Sequence, residues 1–293
     1  MMILDAKQAD VLKETVRIRK DQIKTGFSAL DDAMTFRKGD VMVIGGRPKM
    51  GLTSLCLNIA GRLAFGQTKK VAYFWGDRPP GREDILAERL IGIAAAVPQK
   101  MIRLRELRPY ELERFDEAAG KMCNGNISIE NGYGVTPADI EAKLDGDLKG
   151  TEVVIIDSFR GLDLGCYKDK VLSPTRHACY CLKDIAQRKN VAVILTYKVG
   201  KQVETKRADH RPMIGCGDMN IARDGGVDIA GFLYRAEYYD SCSKDKGLAE
   251  LIIEKGGELP MRNTVSLRFD PETHRFYDHS NKEQNSDPFR CEE

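Results

Sequence analysis

The chain has 293 residues, enough for one large core or two modest ones, and α/β domains often reach about 250 residues as a single unit. Its 42% hydrophobic and 31% charged content describes a soluble globular protein and excludes a low-complexity or fibrous one. The 46 basic and 44 acidic residues nearly cancel to +2, so a nucleic-acid site would have to come from local clustering rather than bulk charge.

No apolar run approaches the roughly 20 residues that a bilayer span needs, and the N-terminal MMILDAKQAD lacks signal-peptide architecture. No membrane partner is therefore expected. The eight cysteines are scattered without metal-type spacing, and Cys179 and Cys181 diverge on an expected helix. Reduced thiols in a cytoplasmic protein account for them better than zinc does.

Taken in order, residues 1–24 place Leu4, Val11, Leu12, Val16 and Ile23 among many charges, which predicts an exposed amphipathic helix. Residues 25–31 read as a turn opening a short helix, with Ser28 and Asp31 at capping-box spacing. A buried strand over 41–45 leads into Gly46-Arg47-Pro48-Lys49-Met50-Gly51-Leu52-Thr53-Ser54, and a helix follows over 55–63. Gly46-x4-Gly51 followed by Thr53 is the spacing of a phosphate-binding P-loop. Glycines let successive amides curl toward an anion, the next helix adds its positive end, and the threonine holds Mg²⁺. Position 52, where that motif needs lysine, is leucine. An ordinary tight strand-to-helix turn would fit the same spacing. Lys49 reads either as a stand-in turned toward the phosphates or as a solvated loop lysine.

Further strands are expected at 71–75, 127–129, 153–157 and 191–196, and helices at 82–96, 109–122 and 175–189. Thr136-Pro137 opens another helix with an N-cap and a first-turn proline. The runs at 153–157 and 191–196 do not alternate, which predicts strands covered on both faces, as in a parallel sheet. Strands at 229–234, 248–254 and 264–269 follow, and residues 279–293 read as a loose polar tail. The pattern predicts one α/β domain over 25–278 with a mainly parallel twisted sheet flanked by helices. Asp157 ends an apolar strand about 100 residues after the loop. It reads as a Walker B carboxylate that orders Mg²⁺ beside Thr53, or as a strand-end cap.

Thr25-Gly26-Phe27, Gly46-Arg47-Pro48-Lys49-Met50-Gly51, Asp77-Arg78-Pro79 and Ile155-Ile156-Asp157 together resemble the RecA-like motor domain of DnaB-type replicative helicases, from about residue 25 to 276. The resemblance implies a RecA-like P-loop fold and a site for ATP or another NTP with Mg²⁺. It also implies hexameric rings on single-stranded DNA, with the first helix as a linker docking on the adjacent subunit and the family's N-terminal collar absent. By the same comparison Asp77 stands at the catalytic carboxylate position, Tyr197 at a sensor glutamine, and Lys255-Gly256-Gly257 at a Lys-x-Arg pair whose arginine is lost.

Residues 198–211 carry Lys198, Lys201, Lys206, Arg207 and Arg211 against two acids and no interleaved aromatics. In RecA-like motors this position lines the DNA channel, so these five are DNA-contact candidates beside the reading as a solvated loop. The expected activity is nucleotide and single-strand binding in replication with hydrolysis impaired. The alternative is a non-hydrolysing subunit that scaffolds or regulates a helicase or loader assembly.

Overall fold

Uninterrupted apolar runs build the centre of the molecule. In the computed structural model, β1 (Val41–Gly46), β2 (Val71–Trp75), β3 (Ile127–Asn131), β4 (Val153–Asp157), β5 (Ala192–Lys198) and β6 (Ile229–Tyr234) are parallel. Antiparallel β7 (Leu248–Gly256), β8 (Asn263–Phe269) and β9 (Phe276–Asp278) extend the same sheet in the order β3-β2-β4-β5-β1-β6-β7-β8-β9. The structure describes residues 22–77, 80–164, 173–202, 209–212, 226–257, 263–279 and 289.

Strand alternation divides each run between two cores. Met42, Ile44, Tyr73, Ile155 and Ile194 join one cluster with α2 (Leu52–Gly61) and α3 (Glu83–Ala95). Val43, Phe74, Ile156 and Leu195 join the other, with α6 (Pro137–Asp145) and α7 (Pro174–Lys189). This double burial is why the runs are apolar up to their carboxyl ends, where Asp157, Thr196 and Lys198 stand. Three further helices complete the set among the described residues: α1 (Ser28–Ala33), α4 (Gln99–Leu104) and α5 (Pro109–Cys123). None of the helices described is long and apolar enough to cross a membrane.

Several sequence expectations change. The P-loop helix begins at Leu52 rather than 55, and after Gly61 it widens into a π-turn over Arg62–Gly66. Asp31 and Ser28 form no reciprocal box. Asp31 accepts from the amides of Thr25 (2.7 Å) and Gly26 (3.3 Å), while the α1 N-terminus is capped from 250 residues away. There Asp278 accepts from the amides of Ser28 (2.8 Å) and Ala29 (3.3 Å). The expected first helix falls mostly on residues 1–21, outside those described. Its last residues are not helical, since Gln22 bridges Arg37 and the Ile23 amide donates to Phe36 at 2.8 Å. Strand β5 runs on to Lys198, and α4 and β9 lacked any recognisable pattern in the sequence. In the segment expected to be a loose tail, Phe289 is buried under the Arg275 guanidinium, 4.7 Å from its ring centre.

The candidate nucleotide site

Ligands of open α/β sheets bind at the carboxyl ends of the strands, and five strand ends converge here. β1 ends at Gly46, β2 leads to Asp77, β4 ends at Asp157, β5 carries Thr196 and Lys198, and β6 lies on the far side of β1. The loop after β1 turns into α2 through Gly51, whose φ of +105° favours glycine. A Cβ on Gly51 would also stand 3.3 Å from the Phe276 ring. The first amides of α2 have no intrahelical acceptors and point into the loop, which is the cradle geometry for an anion.

Leu52 does not project into that cradle. It is 7% exposed and belongs to the core, and its Cδ2 lies 3.2 Å from the position a Cβ on Gly46 would take. The isobutyl group thus folds back over the start of the loop, where a lysine stem would pass before delivering its charge. Lys49 is exposed at φ +71°. Arg47 donates from Nη1 to the Val199 carbonyl at 2.9 Å, tying the loop to the end of β5.

Asp157 is buried and accepts hydroxyl hydrogen bonds from Tyr73 (2.8 Å) and Thr196 (2.6 Å), with Thr53 as a third partner. Burial raises its carboxyl above the ordinary carboxylate value and the charge of Asp77 adds to this, while the hydroxyls oppose the shift. The two residues singled out for Mg²⁺, Thr53 and Asp157, are therefore neighbours. Mg²⁺ typically takes one or two protein oxygens and completes its shell with water and phosphate oxygens. A hydroxyl and a carboxylate at the mouth of a glycine loop fit that ion.

Asp77 lines a 620 Å³ cleft together with Thr53, Trp75, Ile85, Arg89 and His274. The Lys198 ammonium holds its carboxylate with both oxygens, at 2.6 and 2.7 Å. Arg89 and His274 were not foreseen. Arg89 donates to Ser54 Oγ at 2.8 Å and faces His274 Nδ1 at 3.0 Å. Burial lowers the Arg89 pKa, and burial with the guanidiniums of Arg89 and Arg103 pushes His274 down to about 4. A strand-to-helix spacing can point to the P-loop, but nothing local in the sequence pairs a helix arginine with a histidine 185 positions away.

The remaining candidates scatter. Tyr197, at the sensor position, packs in the opposite core 6.3 Å from the Phe159 ring, while Thr196 reaches Asp157. Lys255 donates to the Val227 carbonyl. Gly257 has a φ of +73°, and a Cβ there would lie 2.9 Å from the Thr35 carbonyl oxygen, so an arginine at this position would need the backbone to move. Arg211 pairs with Glu250 at 2.7 Å and lies over the Tyr234 ring at 5.1 Å. Lys201 is exposed. Arg78, Pro79, Lys206 and Arg207 fall outside the described residues.

Among solved structures, an ATPase domain superposes with a TM-score of 0.80 at 27% identity, covering 95% of this chain and 100% of that one. A DnaB-like replicative helicase studied with its primase gives 0.78 at 26%, covering 95% and 69%. The replicative helicases DnaC of Bacillus subtilis (strain 168) and DnaB of Geobacillus stearothermophilus are 30% and 29% identical over 262 residues, 87% of this chain. The chain spans about half the length of these curated relatives, 56% in both cases. The family described as DnaB-like helicase C terminal domain matches residues 22–278, and the chain, with its P-loop, buried Asp157 and central parallel sheet, belongs to it.

Proposed function

We propose that this chain is a nucleotide- and single-strand-binding domain of a replicative DNA helicase in the cytoplasm, working as a ring or with a helicase or loader partner, with ATP hydrolysis impaired. Residues Gly46 to Ser54 hold the phosphates of ATP or another NTP, and Thr53 and Asp157 hold Mg²⁺. When bound, that ion neutralises charge on the phosphates. Asp77 and Lys255 are the remaining candidates for a role at the reacting end of the nucleotide. Lys201, Lys206 and Arg207 supply backbone charge toward single-stranded DNA, with Lys198 and Arg211 at either end of that segment.

The observation that carries the impairment is Leu52 folded onto Gly46 at the lysine position. One transition-state donor is worth about 10²–10³ in rate, and an arginine finger about 10³–10⁵. These losses need not add. The decisive experiment is DNA-stimulated ATP hydrolysis by the native protein and by Leu52→Lys. Little turnover in the native protein with a gain in the variant is expected. Native turnover at ordinary helicase rates, abolished by Asp157→Ala, would overturn the reading.

A second reading, a non-hydrolysing subunit that scaffolds or regulates the assembly, is favoured by the Asp77 carboxylate being held on both oxygens by Lys198. It predicts nucleotide binding without turnover in both proteins.

A further inference from the structure

The loop lacks its lysine, but an ammonium reaches a carboxylate that lines the cleft. Lys198 pairs in register with Gly46, the first glycine of the loop, on the adjacent parallel strand. From there its side chain passes over the end of β4, the strand of Asp157, to reach Asp77 beyond β2. Neighbouring strands lie about 4.8 Å apart, so the side chain spans the strand ends and brings its ammonium to Asp77, which lines the cleft with Thr53. Its anchor is fixed, since the Val199 amide donates to the Gly46 carbonyl at 2.9 Å and Arg47 binds the Val199 carbonyl. The side chain itself is 37% exposed, and its ammonium is held by Asp77. Arg89 and Arg103 also line this cleft; Arg89 is held by Ser54 and His274.

We propose that Lys198 supplies the phosphate-facing cation that position 52 lacks, with Asp77 as its partner only while the pocket holds no nucleotide. This rests on the nucleotide-binding reading given above. A half-exposed ion pair contributes little to stability, so exchange of the ammonium from one carboxylate to a polyanion meets little resistance. The exchange has a second effect. As Lys198 turns toward phosphate, the Asp77 carboxylate is released on the side of the cleft facing Thr53. One side chain thus masks the carboxylate in the empty pocket and unmasks it when the pocket fills.

The test is equilibrium binding of Mg·ATP and Mg·ADP to the full chain, read by displacement of a fluorescent nucleotide at low salt. Lys198→Gln should weaken ATP binding roughly tenfold or more, the range of one charge-assisted hydrogen bond, and ADP binding less. Asp77→Asn, which frees the ammonium, should bind ATP at least as tightly as the native chain. Leu52→Lys placed on Lys198→Gln should restore affinity, which also shows that the single variant folds. Lys149→Gln, an exposed lysine just before β4 at the other end of the sheet, is the charge control. ATP binding by Lys198→Gln equal to native overturns the proposal while leaving the nucleotide reading intact. Equal losses in Lys198→Gln and Asp77→Asn overturn it too, because the pair would then be structural. No binding by the native chain removes the nucleotide reading and this inference with it.

Discussion

At Asp157 a buried carboxylate meets hydroxyl donors and no cation within ion-pair distance among the described residues. A raised carboxyl pKa means the native state takes up its proton more readily than the unfolded chain. Its contribution therefore favours the fold at low pH and is lost as pH rises through the raised value. Asp157→Asn should remove that dependence while weakening Mg²⁺-dependent nucleotide binding. A stability–pH profile unchanged by the variant would contradict this. His274 works in the opposite sense. With its pKa pushed down to about 4 from an ordinary 6.5, it stabilises the fold above 6.5 and loses that contribution as pH falls toward 4. His274→Asn should flatten stability against pH between those limits in urea titrations. An unchanged slope would place the acid sensitivity elsewhere. Asp157 was legible in the sequence because it ends an apolar strand at a Walker-like distance from the loop. His274 was not, because Arg89, which binds it and Ser54, is brought there only by packing.

Among the elements, those with their own terminal signals were readable and those closed by distant residues were not. Helix α6 begins where Thr136 and Asp139 cap each other reciprocally, Asp139 accepting from the Thr136 amide at 2.9 Å, with Pro137 in the first turn. All of that is local. Helix α1 has no such device. Its capping carboxylate is Asp278, in β9, so the last strand of the sheet fixes the first helix described. Asp278→Ala should cost about 1 kcal/mol, the usual worth of a helix cap, seen as a lower urea midpoint with an unchanged slope. An unaffected midpoint would mean water replaces the cap. Strand β9 was missed for the same reason that it matters. Three residues carry no periodicity, and the strand exists because Phe276 and its neighbours pair with β8 and cover Gly51.

Across the molecule as a unit, some charges face outward and others are held within the domain. Of the five DNA-contact candidates, Lys198 lies on Asp77 and Arg211 on Glu250, Lys201 is exposed, and Lys206 and Arg207 fall outside the described residues. Lys206→Ala with Arg207→Ala should weaken single-strand binding and lower the slope of log affinity against log salt by about two. An unchanged slope would assign the segment to solvent. The order of amino acids was enough to dictate the sheet, because a strand covered on both faces must be apolar along most of its length, and five such runs stand here. It was also enough for the loop, because glycine at 51 admits the left-handed turn into α2. The chemistry around that loop was settled by folding alone. Whether Lys198 faces DNA or Asp77 depends on side chains meeting across strands adjacent in space but far apart in the chain. Such pairings leave no period and no spacing in the sequence.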